Sequence, residues 1–75
     1  MISNSPIKYL ISEKQNSIVI YVDANTITEM SRIADLIDDN IPDTVVEVTH
    51  NRNAKQGSII LIKDTDINMI NKLLS

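Results

Sequence analysis

The residues that could do acid–base or metal chemistry in this chain are few and widely spaced. His50 is the only histidine, and there is no cysteine. His50 and Asp23 both fall at predicted strand ends, so the two could meet as a base and its orienting carboxylate, but no nucleophile accompanies them. The aspartates do not follow metal-binding spacings such as DxDxDG or HExxH. We therefore expect no catalytic residue, no metal site and no cofactor, and we expect that the protein is not an enzyme.

Acidic residues concentrate around the end of the first predicted helix, at Asp35, Asp38, Asp39 and Asp43. The C-terminal end of a helix carries a partial negative charge, so carboxylates there cost roughly 0.3–1 kcal/mol each. Such a local conflict sometimes marks function, here an acidic surface for a basic partner or a mimic of nucleic-acid phosphates. The alternative is an ordinary solvated face on which Arg32 pairs with Glu29 or Asp35.

The only locally basic segment is residues 50–57, with His50, Arg52 and Lys55. These side chains could contact phosphate, which makes a nucleic-acid-binding module the alternative hypothesis. The net charge of −3 argues against it, because nucleic-acid binders carry clustered Lys and Arg. Sheet-face recognition of single-stranded RNA also uses stacking aromatics, and Tyr21 is the only one predicted to project outward from a central strand. A solvated hairpin tip is the simpler interpretation.

Alternating and continuous apolar runs predict four strands, and apolar residues at helical spacing predict two helices. The first helix starts with Thr26-Ile27-Thr28-Glu29, the spacing of a capping box, and Pro42 ends it, with Asn40 as a left-handed C-terminal residue. We expect Gly57, the only glycine, to supply a positive φ, and Asp64 or Thr65 to cap the last helix. The predicted strands are 6–12, 17–23, 44–49 and 58–63, and the predicted helices are 27–39 and a short one containing Ile67, Ile70, Leu73 and Leu74.

This order, ββαββα, predicts an α+β two-layer sandwich with both helices on one face of a four-stranded antiparallel sheet. It resembles a circularly permuted ferredoxin-like topology in which the usual last strand comes first. The second and fourth strands would then be central and the first and third would be edges. Charged residues and Pro6 on the edge strands agree, since both discourage edge-to-edge pairing.

The two central strands are apolar on both sides, although the helices can cover only one face of the sheet. Pairing Ser12 with Ser17 sets the faces of the first hairpin. The predicted open face carries an apolar set that we expect to bind a protein partner or a second copy: Leu10, Val19, Tyr21, Val45, Ile59 and Leu61. A shift of one residue in the fourth strand would exchange Ile59 and Leu61 for Ile60 and Ile62. The simpler alternatives are scattered exposed aliphatics, or a last helix that crosses to cover this face.

Composition sets the remaining expectations. With 75 residues the chain is expected to form one domain of limited stability, and oligomerisation would add buried area. No membrane span or secretory signal is evident, and the lack of cysteine suits a reducing cytoplasm. Abundant Ile and Asn are typical of AT-rich genomes, such as those of many phages. The leading hypothesis is therefore a small acidic protein-binding or regulatory module, such as a phage-encoded modulator of a host protein; a ligand-sensing role for the sheet face stays open.

Overall fold

The computed structural model describes residues 7–75, so the predicted strand start at Pro6 lies outside the described residues. Within them the chain forms four strands and two helices. The strands are β1 (Tyr9–Glu13), β2 (Ser17–Asp23), β3 (Val45–Asn51) and β4 (Gln56–Ile62), and the helices are α1 (Ile27–Asn40) and α2 (Ile67–Leu74). Neither helix is long and apolar enough to cross a membrane.

The sheet has the strand order β1-β2-β4-β3, and every neighbouring pair is antiparallel. The two most apolar strands, β2 and β4, are therefore central. Buried residues of α1 and α2 belong to one core with β2 and β4, which places both helices on the same face. The predicted α+β sandwich with a permuted ferredoxin-like topology is confirmed.

The hairpin of β1 and β2 pairs two residues away from the predicted register. Ser12 lies opposite Val19 rather than Ser17, and Glu13 lies opposite Ile18. A shift of two residues leaves every side chain on its original face, because side chains alternate with period two. Tyr9 and Ile11 therefore pack against the core as predicted, and the Tyr9 hydroxyl donates a 2.6 Å hydrogen bond to Oδ1 of Asn71 on α2.

Helix α1 begins at its capping box. The backbone N–H of Glu29 donates to the Thr26 hydroxyl at 3.2 Å, and the Glu29 carboxylate accepts from the N–H of Asn25 at 3.3 Å. The residue with positive φ after the helix is Asp43, at 62°, rather than the predicted Asn40. The N-cap of helix α2 is Asp66, one residue after Thr65 and two after Asp64, the two predicted caps; its carboxylate accepts a hydrogen bond from the N–H of Asn68.

Gly57 has a different role from the predicted one. The positive φ in the loop between β3 and β4 belongs to Lys55, at 52°, and not to the glycine. Gly57 is buried in β4 on the helix-bearing face, where Met30 of α1 lies against it. Only a residue without a Cβ leaves this space for the methionine.

The core lies between the helices and this face of the sheet. Its fully buried side chains come from both helices and both central strands: Ile20, Val22, Met30, Ile37, Ile59, Leu61 and Ile70. Val19 is also buried, at 9% exposure, yet it does not belong to that cluster. Since Val19 alternates with Ile18 and Ile20, it lies on the opposite face of the sheet.

Candidate functional site

The candidate site is the open face of the sheet, defined here as the side away from α1 and α2. Cross-strand pairing arranges its side chains in rows. One row runs Ser12, Val19, Ile60, Glu47 across the four strands, and the next runs Leu10, Tyr21, Ser58, Thr49. None of the elements described within residues 7–75 packs across these rows as the helices pack across the other face.

Apolar side chains on the open face are solvent-accessible at its edges and half-covered at its centre. Leu10 on β1 is 66% exposed, Val46 on β3 is 62% exposed, and Ile62 on β4 is 43% exposed. Tyr21 and Ile60, on the central strands, are half-buried. Each of the four strands therefore contributes at least one apolar side chain to the exposed surface. Contiguous exposed apolar patches on monomeric proteins often mark sites of interaction with other molecules.

The polar groups of the open face are mostly small and uncharged. The hydroxyls of Thr49 and Ser58 share a hydrogen bond of 2.6 Å across β3 and β4, so they satisfy each other. Charge is confined to the edge strand β3, at Glu47, and to the end rows, at Lys8 and Asp23. The middle of the face can therefore be buried without removing a charge from water.

Three of the six predicted interface residues lie on the open face, and three face the core. Leu10, Val19 and Tyr21 lie on the open face, but Ile59 and Leu61 are fully buried in the core and Val45 packs against it. Ile59 and Leu61 lie on the same side of β4 as Gly57, which is the side that packs against Met30 of α1. Their places on the open face are taken by Ile60 and Ile62, the alternative that a one-residue shift produces.

Val45 was misplaced because β3 contains a bulge. The pairing steps from Val45 opposite Leu61 directly to Glu47 opposite Ile60, which leaves Val46 as an extra residue. An extra residue reverses the alternation beyond it, so Val45 and Val48 both face the core while Glu47 and Thr49 face outward. Val46, which is not part of the predicted interface, is exposed, and no pattern in the sequence indicates the bulge.

The predicted acidic patch is divided by the structure. Asp35 and Asp39 line one shallow groove on the helical side, together with Ile33 and Leu36. Asp38 is exposed on α1, and Asp43 lies in the turn before β3. The sequence predicted the charges but not the apolar side chains that lie between two of them.

The predicted basic contact is also divided. The His50 ring donates a hydrogen bond from Nε2 to the carbonyl oxygen of Ala24 at 2.8 Å. This hydrogen bond connects β3 to the segment before α1. Arg52 lines a depression with His50 at the start of α1, whereas Lys55 lines another with Lys8 and the Asp23 carboxylate. Among residues 7–75 no group of three or more His, Asp or Glu side chains is arranged to hold a metal ion.

Comparison with known proteins gives no relative on which to base an assignment. No protein-family model, no curated protein and no solved structure matches the chain. The function is therefore argued from the geometry of the open face.

Proposed function

We propose that this chain is a small protein-binding module that self-associates through the open face of its sheet. The observation that carries the proposal is the set of exposed and half-exposed apolar side chains that the four strands contribute to that side of the sheet, among them Leu10 on β1, Tyr21 on β2, Ile60 and Ile62 on β4, and the bulge residue Val46 on β3. The helices occupy the opposite face and leave these side chains without a cover among the described elements.

A second copy is the occupant that best fits the distribution of residue sizes. A two-fold axis running between β2 and β4, parallel to the strands, stacks Val19 of each copy on Ile60 of the other. The same operation sets the large Tyr21 against the small Ser58, so bulky and small side chains alternate across the interface. Packing of this kind gives the complementarity that sheet-on-sheet interfaces need.

This arrangement keeps the charged residues of the edge strands at the borders of the interface. The two-fold axis brings β1 of one copy over β3 of the other, so the edge that carries Lys8 lies on the same side as the edge that carries Glu47. Lys8 and Glu47 are offset by two rows, about 13 Å, along each border, so they do not form an ion pair, and the central-strand side chains that meet in the middle, Val19, Tyr21, Ser58 and Ile60, are uncharged.

The size of the face limits the affinity. Four strands spaced about 4.8 Å apart and five residues of about 3.3 Å give a patch of roughly 320 Å². At about 25 cal/mol per Å² of apolar area, burial of the whole patch would contribute at most about 8 kcal/mol on each copy; its polar side chains lower that figure, and the cost of association removes much of the rest. We expect a dissociation constant in the micromolar range or weaker, as in transient dimers.

Analytical ultracentrifugation of the full chain tests the proposal. At about 100 µM, above the expected dissociation constant, we expect a substantial dimer fraction that Leu10→Asp removes. Ile27→Asp is the matched control, because Ile27 is also an exposed aliphatic, at 52%, but lies on α1 on the helical side. A strictly monomeric wild-type chain, or equal effects of the two substitutions, would contradict self-association through the open face.

A further inference from the structure

The helical side of the molecule carries an apolar groove that is separate from the open face. Its floor is formed by Leu36 and Ile33 of α1 and by Ile7, and its volume is about 570 Å³. Ile7 and Ile33 also pack against the core, which holds the floor in place, whereas Leu36 is 37% exposed. We call this feature the α1 groove.

The border of the α1 groove is acidic. Glu29, Asp35 and Asp39 line it, and Arg32 is the only cation that does. Three carboxylates against one guanidinium give the border a formal charge of −2. From Glu29 to Asp39 the helix rises about 15 Å, so the charged border extends over about ten residues of α1.

The helix itself adds to this negative potential. The C-terminal end of α1 has no basic residue in its last turn, so the partial negative charge of its free carbonyl groups is not offset there. Asp38 is exposed in the same turn. A ligand that lies along α1 therefore meets an apolar floor, an acidic border and a negative helix end together.

We infer that the α1 groove binds a basic amphipathic segment of a partner protein. A helical segment with apolar residues at i, i+3 or i+4 and i+7 presents a stripe that matches the floor formed by Ile33 and Leu36. Lysine or arginine beside that stripe pairs with Asp35 and Asp39. A second copy of this chain does not fit, because two acidic borders would face each other.

This inference does not depend on self-association through the open face, since the groove lies on the helical side. Leu10→Asp is therefore expected to leave peptide binding unchanged while it removes the dimer. The two proposals can fail separately.

Fluorescence anisotropy with synthetic peptides of about 12 residues, enough to span the groove, tests the inference. The probe has Leu on one helical face and Lys on the other; one control peptide has the same composition in scrambled order, and another has Glu in place of Lys. With the full chain we expect the probe to bind at least about tenfold more tightly than either control peptide. Equal binding of the probe and the scrambled peptide would overturn the inference, because general electrostatic attraction would then be sufficient.

Paired protein variants locate the site. Asp39→Lys reverses a charge on the groove border, and Asp64→Lys makes the same change at an exposed residue between β4 and α2. We expect Asp39→Lys to weaken the probe about tenfold and Asp64→Lys to weaken it no more than about twofold. Leu36→Ser should weaken it as Asp39→Lys does, without changing the circular dichroism spectrum. Equal effects of the two lysine substitutions on peptide binding would overturn the assignment of the groove to a basic partner. Loss of the dimer in Asp39→Lys but not in Asp64→Lys would overturn it as well.

Discussion

At the scale of single residues, Gly57 shows how a sequence pattern can identify an important residue for the wrong reason. A lone glycine in a polar loop predicts a positive φ, but the structure gives that conformation to Lys55. A Cβ on Gly57 would lie 2.5 Å from the backbone oxygen of Thr49 and 2.6 Å from Sδ of Met30. The glycine is required because β4 packs closely against β3 and against Met30 of α1. The local sequence around Gly57 gives no indication of these tertiary contacts.

We expect Gly57→Ala to destabilise the fold by about 1–3 kcal/mol, the usual cost of overpacking a core. The Met30 side chain can change its conformation to avoid a new Cβ. The Thr49 carbonyl oxygen belongs to the backbone of β3, and its displacement would disturb the pairing of β3 with β4. Urea unfolding followed by circular dichroism measures the loss. Gln56→Ala, at the exposed neighbouring position in β4, is the control and should change the free energy of unfolding by less than about 0.5 kcal/mol. Equal stabilities of the two variants would contradict the packing argument.

At the scale of elements, the sequence predicted the type and order of every strand and helix but not every side-chain direction. The capping box of Thr26 and Glu29 fixed the start of α1 because its hydrogen bonds are local. The predicted register of the first hairpin is wrong by two residues, but the predicted faces of its side chains are right, because a shift of two residues leaves each side chain on the same face. The continuous apolar run of β4 has no alternation from which to derive which side chains face the helices. The bulge at Val46 lies in the pairing of β3 with the next strand, β4, and the alternation of Val45, Glu47 and Thr49 with Val46 and Val48 fits a regular strand equally well. For this reason both errors affected residues of the predicted interface.

The bulge leads to a prediction about deletions in β3. Removing Val46 leaves Val45 opposite Leu61 and Glu47 opposite Ile60 in regular alternation, so no other side chain has to change faces. Removing Thr49 instead makes either Val48 or His50 turn to the wrong face of the sheet. We expect the chain without Val46 to retain a cooperative unfolding transition, and the chain without Thr49 to lose several kcal/mol, a large part of the 5–15 kcal/mol that is typical of domains. Thermal unfolding compares the two, and a more stable Thr49 deletion would show that Val46 is not the extra residue.

At the scale of the whole molecule, the two ends of the sheet differ in charge without being of one sign. Lys8, Arg52 and Lys55 lie with Asp23 at the end where β2 finishes and β4 begins, whereas Asp38, Asp39, Asp43 and Asp64 lie with Lys14 and Lys63 at or near the opposite end. The middle rows of the open face carry only Glu47 between these ends. The proposed association through that face would therefore be driven by apolar contact and opposed by the overall charge of −3 on each copy.

The sign of the salt dependence follows from this balance. With centres about 20 Å apart, two charges of −3 repel by about 1 kcal/mol at 10 mM salt and by about 0.2 kcal/mol at 150 mM, so salt should tighten the dimer about fourfold. Binding of a nucleic acid to Arg52 and Lys55, the alternative function, would weaken with salt instead.

Sedimentation equilibrium at the two salt concentrations measures the dimer. Asp64→Lys is the control: it reduces the charge from −3 to −1, because a carboxylate is replaced by an ammonium, and the ninefold smaller repulsion should nearly abolish the salt effect. A dimer that dissociates as salt is added would mean that charge pairs, rather than the apolar rows of the open face, hold the two copies together.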